Sequence, residues 1–187
     1  MATIRSTGKS ALIIVDVQVG VVRNAWDTTR IIANIARSVE RARAAGVPII
    51  WVQHSDQQLV KDSPDWQLAP ELVPRADEPI VHKQFESSFE NTTLEQELAT
   101  RSVSHIVLAG AITNWCIRAT AYASLDRGYD LTLLKDAHTA KTIELEGGFT
   151  IEAEKIVTEL NIVMTWITYP GRVCGTAKVE EVGFATT

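Results

Sequence analysis

The segment Gly110 to Cys116, reading GAITNWC, places a cysteine directly behind an apolar run, Ile106 to Ala109, and directly before a helical pattern, Cys116 to Asp126. A thiol in the first turn of a helix sits at the positive end of the helix dipole, which favours thiolate and hence nucleophilic attack. The plain alternative is a buried structural cysteine, the common fate of a lone thiol. Two further residues bear on the choice. Asp16 closes the apolar run Ala11 to Val15, which has the composition of a fully buried parallel strand. Lys83 stands in HKQFESSF, His82 to Phe89, behind the apolar pair Ile80 and Val81. In open α/β sheets ligands bind beyond the carboxyl ends of the strands, where strand order reverses, so one crevice can hold Asp16 and Cys116. A base, a cation and a thiol are the parts that covalent acyl transfer needs. The structural alternatives are a strand-end turn for Asp16 and a solvated surface position for Lys83.

Strand and helix patterns alternate along the chain, the mark of a parallel sheet with helices on both faces. The fold class expected is α/β, a three-layer αβα sandwich around a mostly parallel, five- or six-stranded Rossmann-like sheet. Strands are predicted over Ala11–Val17, Val47–Val52, Ser104–Ala109, Tyr129–Lys135 and Ile162–Ile167. A helix capped by Asp27 or Thr28 runs to about Ala45, with Ile31, Ile35, Val39 and Ala42 as its apolar stripe and Gly46 as its stop. Thr92 and Glu95 read as a capping box for a helix reaching about Arg101, and Thr150 to Leu160 reads as the last helix. Gln53 to Pro79 is long and polar and carries Pro64, Pro70, Pro74 and Pro79. A loop of that length in a compact domain is usually a functional lid or wall. The tail from Pro170 to Thr187 has no readable period and is a candidate arm for a neighbouring subunit.

These motifs together resemble the isochorismatase-like cysteine hydrolase superfamily, which includes nicotinamidases, carbamoylsarcosine-type amidohydrolases and isochorismatases. The resemblance rests on the aspartate ending strand one, the lysine of HKQFESSF, the G-x-x-T-x-x-C pattern of Gly110, Thr113 and Cys116, and DAHTA from Asp136 to Ala140. It implies Asp16, Lys83 and Cys116 as catalytic residues, with Asp16 moving the protons and Lys83 holding Asp16 and favouring thiolate. It also implies an oxyanion hole from the backbone N–H groups of Thr113 and Cys116, and a cis peptide bond at Ile112–Thr113. Metal-binding nicotinamidases carry an aspartate and histidines after strand two. Here QHSDQQLVKDS, Gln53 to Ser63, has only one histidine, and a zinc site normally needs three protein ligands. The expectation is therefore no metal and no cofactor. Gln18, Trp26, His54, Trp66, Phe85, Trp115 and His138 are candidates to contact substrate, against ordinary packing or hydrogen bonding as the alternative for each.

At 187 residues, with 45% hydrophobic and 22% charged residues, the chain reads as one globular domain, 1–187. A net charge of −5 argues against nucleic acid or an anionic membrane as partner. Arg37, Arg41 and Arg43 form the densest basic cluster and read as the solvated face of a helix. No apolar run approaches the roughly 20 residues of a membrane span, and no secretory signal opens the sequence, so a cytoplasmic protein is expected. Cys174 has no partner motif and is expected to be inert. The function expected is cleavage of a C–N bond in a small amide or carbamoyl compound through a thioester. The alternatives are vinyl ether hydrolysis of the isochorismatase type, which does not require the thiol, and a non-catalytic binding protein retaining the fold. A nucleotide-binding oxidoreductase is disfavoured because no G-x-G-x-x-G follows strand one. A homo-oligomer is expected, since Val173, Val179, Val182 and Phe184 have no obvious partner in their own chain.

Overall fold

The structure, a computed structural model, describes residues 8–184. Its chain order is β1 (Lys9–Val15), α1 (Val19–Val22), α2 (Thr28–Ala44), β2 (Ile49–His54), β3 (Ile80–Lys83), α3 (Leu94–Thr100) and β4 (Val103–Ala111). There follow a π-helical turn (Thr113–Ile117), α4 (Arg118–Asp126), β5 (Asp130–Thr139), a small antiparallel hairpin of β6 (Ile143–Glu144) and β7 (Thr150–Ile151), α5 (Ala153–Trp166) and β8 (Cys174–Ala177). The main sheet has six strands in the order β3-β2-β1-β4-β5-β8, with every pairing parallel. The expected α/β class and three-layer form are what the chain adopts.

Alternation within the strands divides the apolar run of β1 between two cores, because successive side chains point to opposite faces. Leu12 and Ile14 join Ile49, Trp51, Val107 and Ala109 under the stripe of α2, Ile31, Ile35, Val39 and Ala42. Ile13 and Val15 join Ile50, Val52, Ile106 and Leu108 under α3, α4 and α5, through Leu94, Leu98, Ala121, Leu125, Leu160 and Met164. Burying an Ile or Leu side chain stabilises by about 2 kcal/mol, so these faces hold the sheet rigid beneath its rim.

Several boundaries differ from expectation. Ile162–Ile167 is not a strand. The buried positions Ala153, Ile156, Val157, Leu160 and Met164 keep helical spacing, so α5 continues through that segment to Trp166. The last strand is instead β8, drawn from the tail and paired with β5. Val179 and Val182 of that tail are buried against α2 in their own chain, which removes them as subunit contacts. Residues 185–187 of the tail lie outside the described residues. The basic cluster of α2 is not merely solvated. Arg37 and Arg41 bind Glu180, Arg41 also binds the Val182 carbonyl, and Arg43 binds Glu78, so the helix fastens both tail and loop. Thr92 and Glu95 form no capping box. The Thr92 hydroxyl accepts the Leu94 N–H and donates to the Ser88 carbonyl, while Glu95 pairs with Arg127. Short β3 occupies the sheet edge where only the pair Ile80 and Val81 stood out in the sequence.

Candidate active site

The chain leaves β1 outward to β2 and β3, then crosses back to lay β4 on the other side of β1. The strand order therefore reverses between β1 and β4, where such sheets bind ligands. Asp16 follows the last residue of β1, and the turn carrying Cys116 follows β4. Lys83 ends β3, two strands away from β1. Strands lie about 4.8 Å apart, so only a long side chain reaches from β3 to Asp16, and Lys83 supplies one.

The three meet. Lys83 Nζ lies 2.7 Å from Asp16 Oδ2 and donates to Cys116 Sγ at 3.2 Å. It also donates to the Phe85 carbonyl at 3.0 Å and lies 3.3 Å from His54 Nδ1. Asp16 and Lys83 are buried, at 1% and 2% exposure. The coulombic attraction between Lys83 and Asp16 outweighs the hydrogen bond between them. Asp16 itself has φ 51°, in the left-handed region that aspartate tolerates better than most side chains.

Gly110 makes the close approach of β4 to β1 possible. At φ 131° a Cβ there would lie 2.0 Å from the Val15 carbonyl oxygen. Beyond Gly110 the backbone forms the π-turn, with the Trp115 and Ile117 N–H groups both donating to the Ile112 carbonyl. Such turns recur at functional sites. Cys116 is thus the fourth residue of the π-turn rather than lying in the opening turn of α4. The cis bond expected at Ile112–Thr113 is found one residue earlier, at Ala111–Ile112.

The electrostatics of the trio also differ from expectation. Burial pushes the Cys116 thiol up to about 12; the negative charge of Asp16 adds to that, and Lys83 opposes it. Burial likewise holds the Asp16 carboxyl above its usual range, against the pull of Lys83. Burial lowers Lys83, but Asp16 and Cys116 outweigh it and leave the ammonium above its ordinary value. Cys116 therefore rests as a thiol, not as a ready thiolate, beside a carboxyl group whose affinity for a proton burial has raised. Two acids compete for one proton next to a permanent cation.

The remaining candidates separate into those at the trio and those committed elsewhere. His54 faces Lys83 through Nδ1 and holds Asp56 through Nε2 at 3.0 Å. Asp56 accepts the N–H groups of Leu59 and Gln58, and these donors with His54 keep its carboxyl low despite some burial. Phe85 is half exposed beside Lys83, and Trp115 is exposed on the turn itself. Trp26 packs against the small cluster that contains Ala140, as does Ile112 at the start of the turn. Gln18 is fully buried, donating to the carbonyls of His54 and Trp66 and accepting the His54 N–H. Its amide clamps the long loop to β2. Trp66 is buried too, tilted against His82 with ring centroids 5.6 Å apart, and lines a groove with Gln53 along the β3 edge. His138 lies wholly buried under the turn, with Thr113 on one ring nitrogen and Asn161 on the other, so it is no pocket wall. Asn161 is not among the residues expected from sequence: it falls between the helix expected to end at Leu160 and the strand expected to begin at Ile162, and lies inside α5. Its signal was an asparagine inside an apolar helical stripe, a position asparagine does not favour.

Cys174 donates to the Met164 carbonyl, and burial raises its thiol to about 11. Among the described residues no group of three or more His, Cys, Asp or Glu is arranged to hold a metal ion, and no helix is long and apolar enough to cross a membrane.

A family model described as Isochorismatase domain matches residues 10–166. A streptothricin hydrolase of Streptomyces noursei is 30% identical over 147 residues, covering 75% of this chain and 58% of its own length. The chain thus spans somewhat over half of that relative. A cysteine hydrolase of Pseudomonas syringae pv. phaseolicola superposes with TM-score 0.83 at 24% identity, covering 92% of this chain and 89% of the other. An isochorismatase of Pseudomonas putida superposes with TM-score 0.83 at 25% identity, covering 96% and 93%.

Proposed function

This chain belongs to the isochorismatase domain family, and on that premise we propose that it is a cysteine hydrolase opening a C–N bond of a small amide or carbamoyl compound. Asp16 takes the thiol proton as Cys116 Sγ attacks the substrate carbonyl. The backbone N–H groups of Thr113 and Cys116 receive the oxyanion of the tetrahedral intermediate. Asp16 returns the proton to the nitrogen, the C–N bond breaks and an amine or ammonia leaves a thioester. Asp16 then draws a proton from water, the hydroxide adds to the thioester carbonyl, the C–S bond breaks, and Asp16 returns the proton to the sulfur, freeing the acid and the thiol. Lys83 stays an ammonium throughout and balances whichever of Asp16 and Cys116 carries the negative charge. No step calls for a cofactor.

The observation that supports this reading is the buried contact of Lys83 with both Asp16 and Cys116. A vinyl ether hydrolase of the same fold has no use for a thiol held there, nor has a binding protein. Phe85, Trp115, Trp26 and His54 are proposed to border the substrate. A cytoplasmic location is proposed with it, as is a homo-oligomer. Val173 and Trp166, exposed at 72% and 78%, now support the oligomer in place of Val179 and Val182, and a monomer of 20.6 kDa by light scattering would refute it. The test of function is ammonia release across a panel of small amides and carbamoyl compounds, with mass spectrometry of acid-quenched enzyme. Acyl mass on the peptide containing Cys116 is expected. Turnover without it, or turnover surviving in Cys116→Ser, overturns the proposal.

A further inference from the structure

Behind the turn that carries Cys116 runs a chain of hydrogen bonds whose direction is set at every link. Asn161 on α5 donates from Nδ2 to the Lys135 carbonyl at 3.0 Å. That bond orients the amide, so Oδ1 is the acceptor that faces His138 Nε2 at 3.0 Å. Nε2 must then carry a hydrogen, and in a neutral imidazole Nδ1 is left as a lone pair. Burial lowers His138 to about 4, which keeps the ring neutral near pH 7. Thr113 Oγ1, 2.9 Å from Nδ1, is therefore the donor. Thr113 and His138 are both fully buried. An apolar pair would fill the same space without leaving a buried donor or acceptor unpaired whenever one link of such a chain is lost.

We propose that Thr113, His138 and Asn161 are positioning residues, whose chain aims the Thr113 backbone N–H at the place where the oxyanion forms. None of them touches substrate through its side chain. The hydroxyl of Thr113 ties the first residue of the π-turn to β5 and α5, the two elements packed behind it. Donors to a transition-state oxyanion act only when held in place before the charge develops, and an error of about 1 Å costs on the order of 100-fold in rate. This assignment rests on the cysteine hydrolase reading above.

Two electrophiles separate positioning of the oxyanion donors from activation of the thiol. Iodoacetamide is displaced directly by sulfur: an S–C bond forms, iodide leaves, and no oxyanion arises. p-Nitrophenyl acetate acylates the same sulfur through a tetrahedral oxyanion; the S–C bond forms, p-nitrophenolate leaves, and the thiol proton goes to Asp16. In Thr113→Val the ratio of acylation to alkylation at Cys116 is expected to fall, by up to on the order of 100-fold. Thr113→Ser is expected to recover the ratio that Thr113→Val loses. A ratio unchanged in Thr113→Val, or both rates falling together, overturns the assignment. A wild-type Cys116 that p-nitrophenyl acetate does not acylate refutes the hydrolase reading itself, and this assignment with it. Nitrogen-15 NMR of the wild-type histidines gives a check that does not depend on how the variants fold. His138 is expected as the Nε2–H tautomer, and the Nδ1–H tautomer would overturn the proposal.

Discussion

Two ion pairs in this protein have the same separation and opposite character. Lys83 Nζ lies 2.7 Å from Asp16 Oδ2, and Arg43 Nε lies 2.7 Å from Glu78 Oε1. Yet burial leaves the Asp16 carboxyl above its usual range, whereas Glu78, though burial pushes it up, is held down to about 2 by its hydrogen bonds. The difference lies in the donors. Glu78 accepts two N–H groups of Arg43, the Arg75 backbone N–H and the Trp51 indole. Asp16 is served by the Lys83 ammonium and the Cys116 thiol, and that ammonium is shared with Phe85 and Cys116. A carboxylate that accepts four N–H groups is a fastener, here of the long loop to α2 and β2. A buried carboxylate short of donors still attracts a proton, which is what a base must do.

The largest effect expected is loss of chemistry without loss of fold. Cys116→Ala should melt near the wild-type temperature and release no measurable ammonia from a true substrate; turnover near wild type would remove the sulfur from the mechanism. Asp16→Asn should lower hydrolysis by about 10²- to 10⁴-fold, the range of a general acid–base group. Steady-state kinetics would show the fall in kcat, and an unchanged kcat would mean the base is elsewhere.

Glu78→Gln should do the reverse. Removing one member of this pair is expected to cost about 2 kcal/mol after solvent screening, or about 4–8 °C in melting temperature at this chain length, with alkylation of Cys116 unchanged. The pH dependence follows from the same shift. A carboxyl lowered from 4.5 to about 2 contributes stability that is present above pH 4.5 and lost as pH falls towards 2. Denaturant midpoints in that window should lose this slope in Glu78→Gln. At mildly acidic pH the smallest effect expected belongs to His138, of whose full shift only a part is felt there. Its imidazole is lowered from 6.5 to about 4, so the unfolded chain binds the proton first and stability declines as pH falls from 6.5 to 4. That interval corresponds to at most about 3 kcal/mol, and less at the mildly acidic pH where native protein is measured. The His138→Asn variant should show a shallower decline.

The trio was legible because Asp16 and Cys116 come after apolar strands and Lys83 stands behind the apolar pair Ile80 and Val81. The sheet was legible for the same reason in β1, β2, β4 and β5, whose apolar runs leave no other role. What escaped the sequence is set by tertiary contact. Ile162–Ile167 has strand composition, and α5 runs through it to Trp166 with Val163 and Met164 packed on the sheet. Cys174–Ala177 has little apolar character, and pairing with β5 alone makes it a strand. The helix dipole and Lys83, which favour thiolate at Cys116, are visible in sequence, whereas the burial and the nearness of Asp16 that oppose it are not. Gln18 and His138 were legible as polar groups near the site, but whether they meet substrate or backbone depends on partners far along the chain.

The central claim is that Asp16 and Cys116 compete for one proton beside the Lys83 ammonium. The most direct test is the pH dependence of Cys116 alkylation by iodoacetamide in the wild type, Asp16→Asn and Lys83→Met. Without the neighbouring negative charge, Asp16→Asn should form thiolate at lower pH than the wild type, each pH unit of displacement amounting to about 1.4 kcal/mol. Lys83→Met, lacking the cation that stabilises thiolate, should react more slowly than the wild type through neutral pH. Opposite displacements of the two variants are the predicted result, and three superimposable curves would contradict the account.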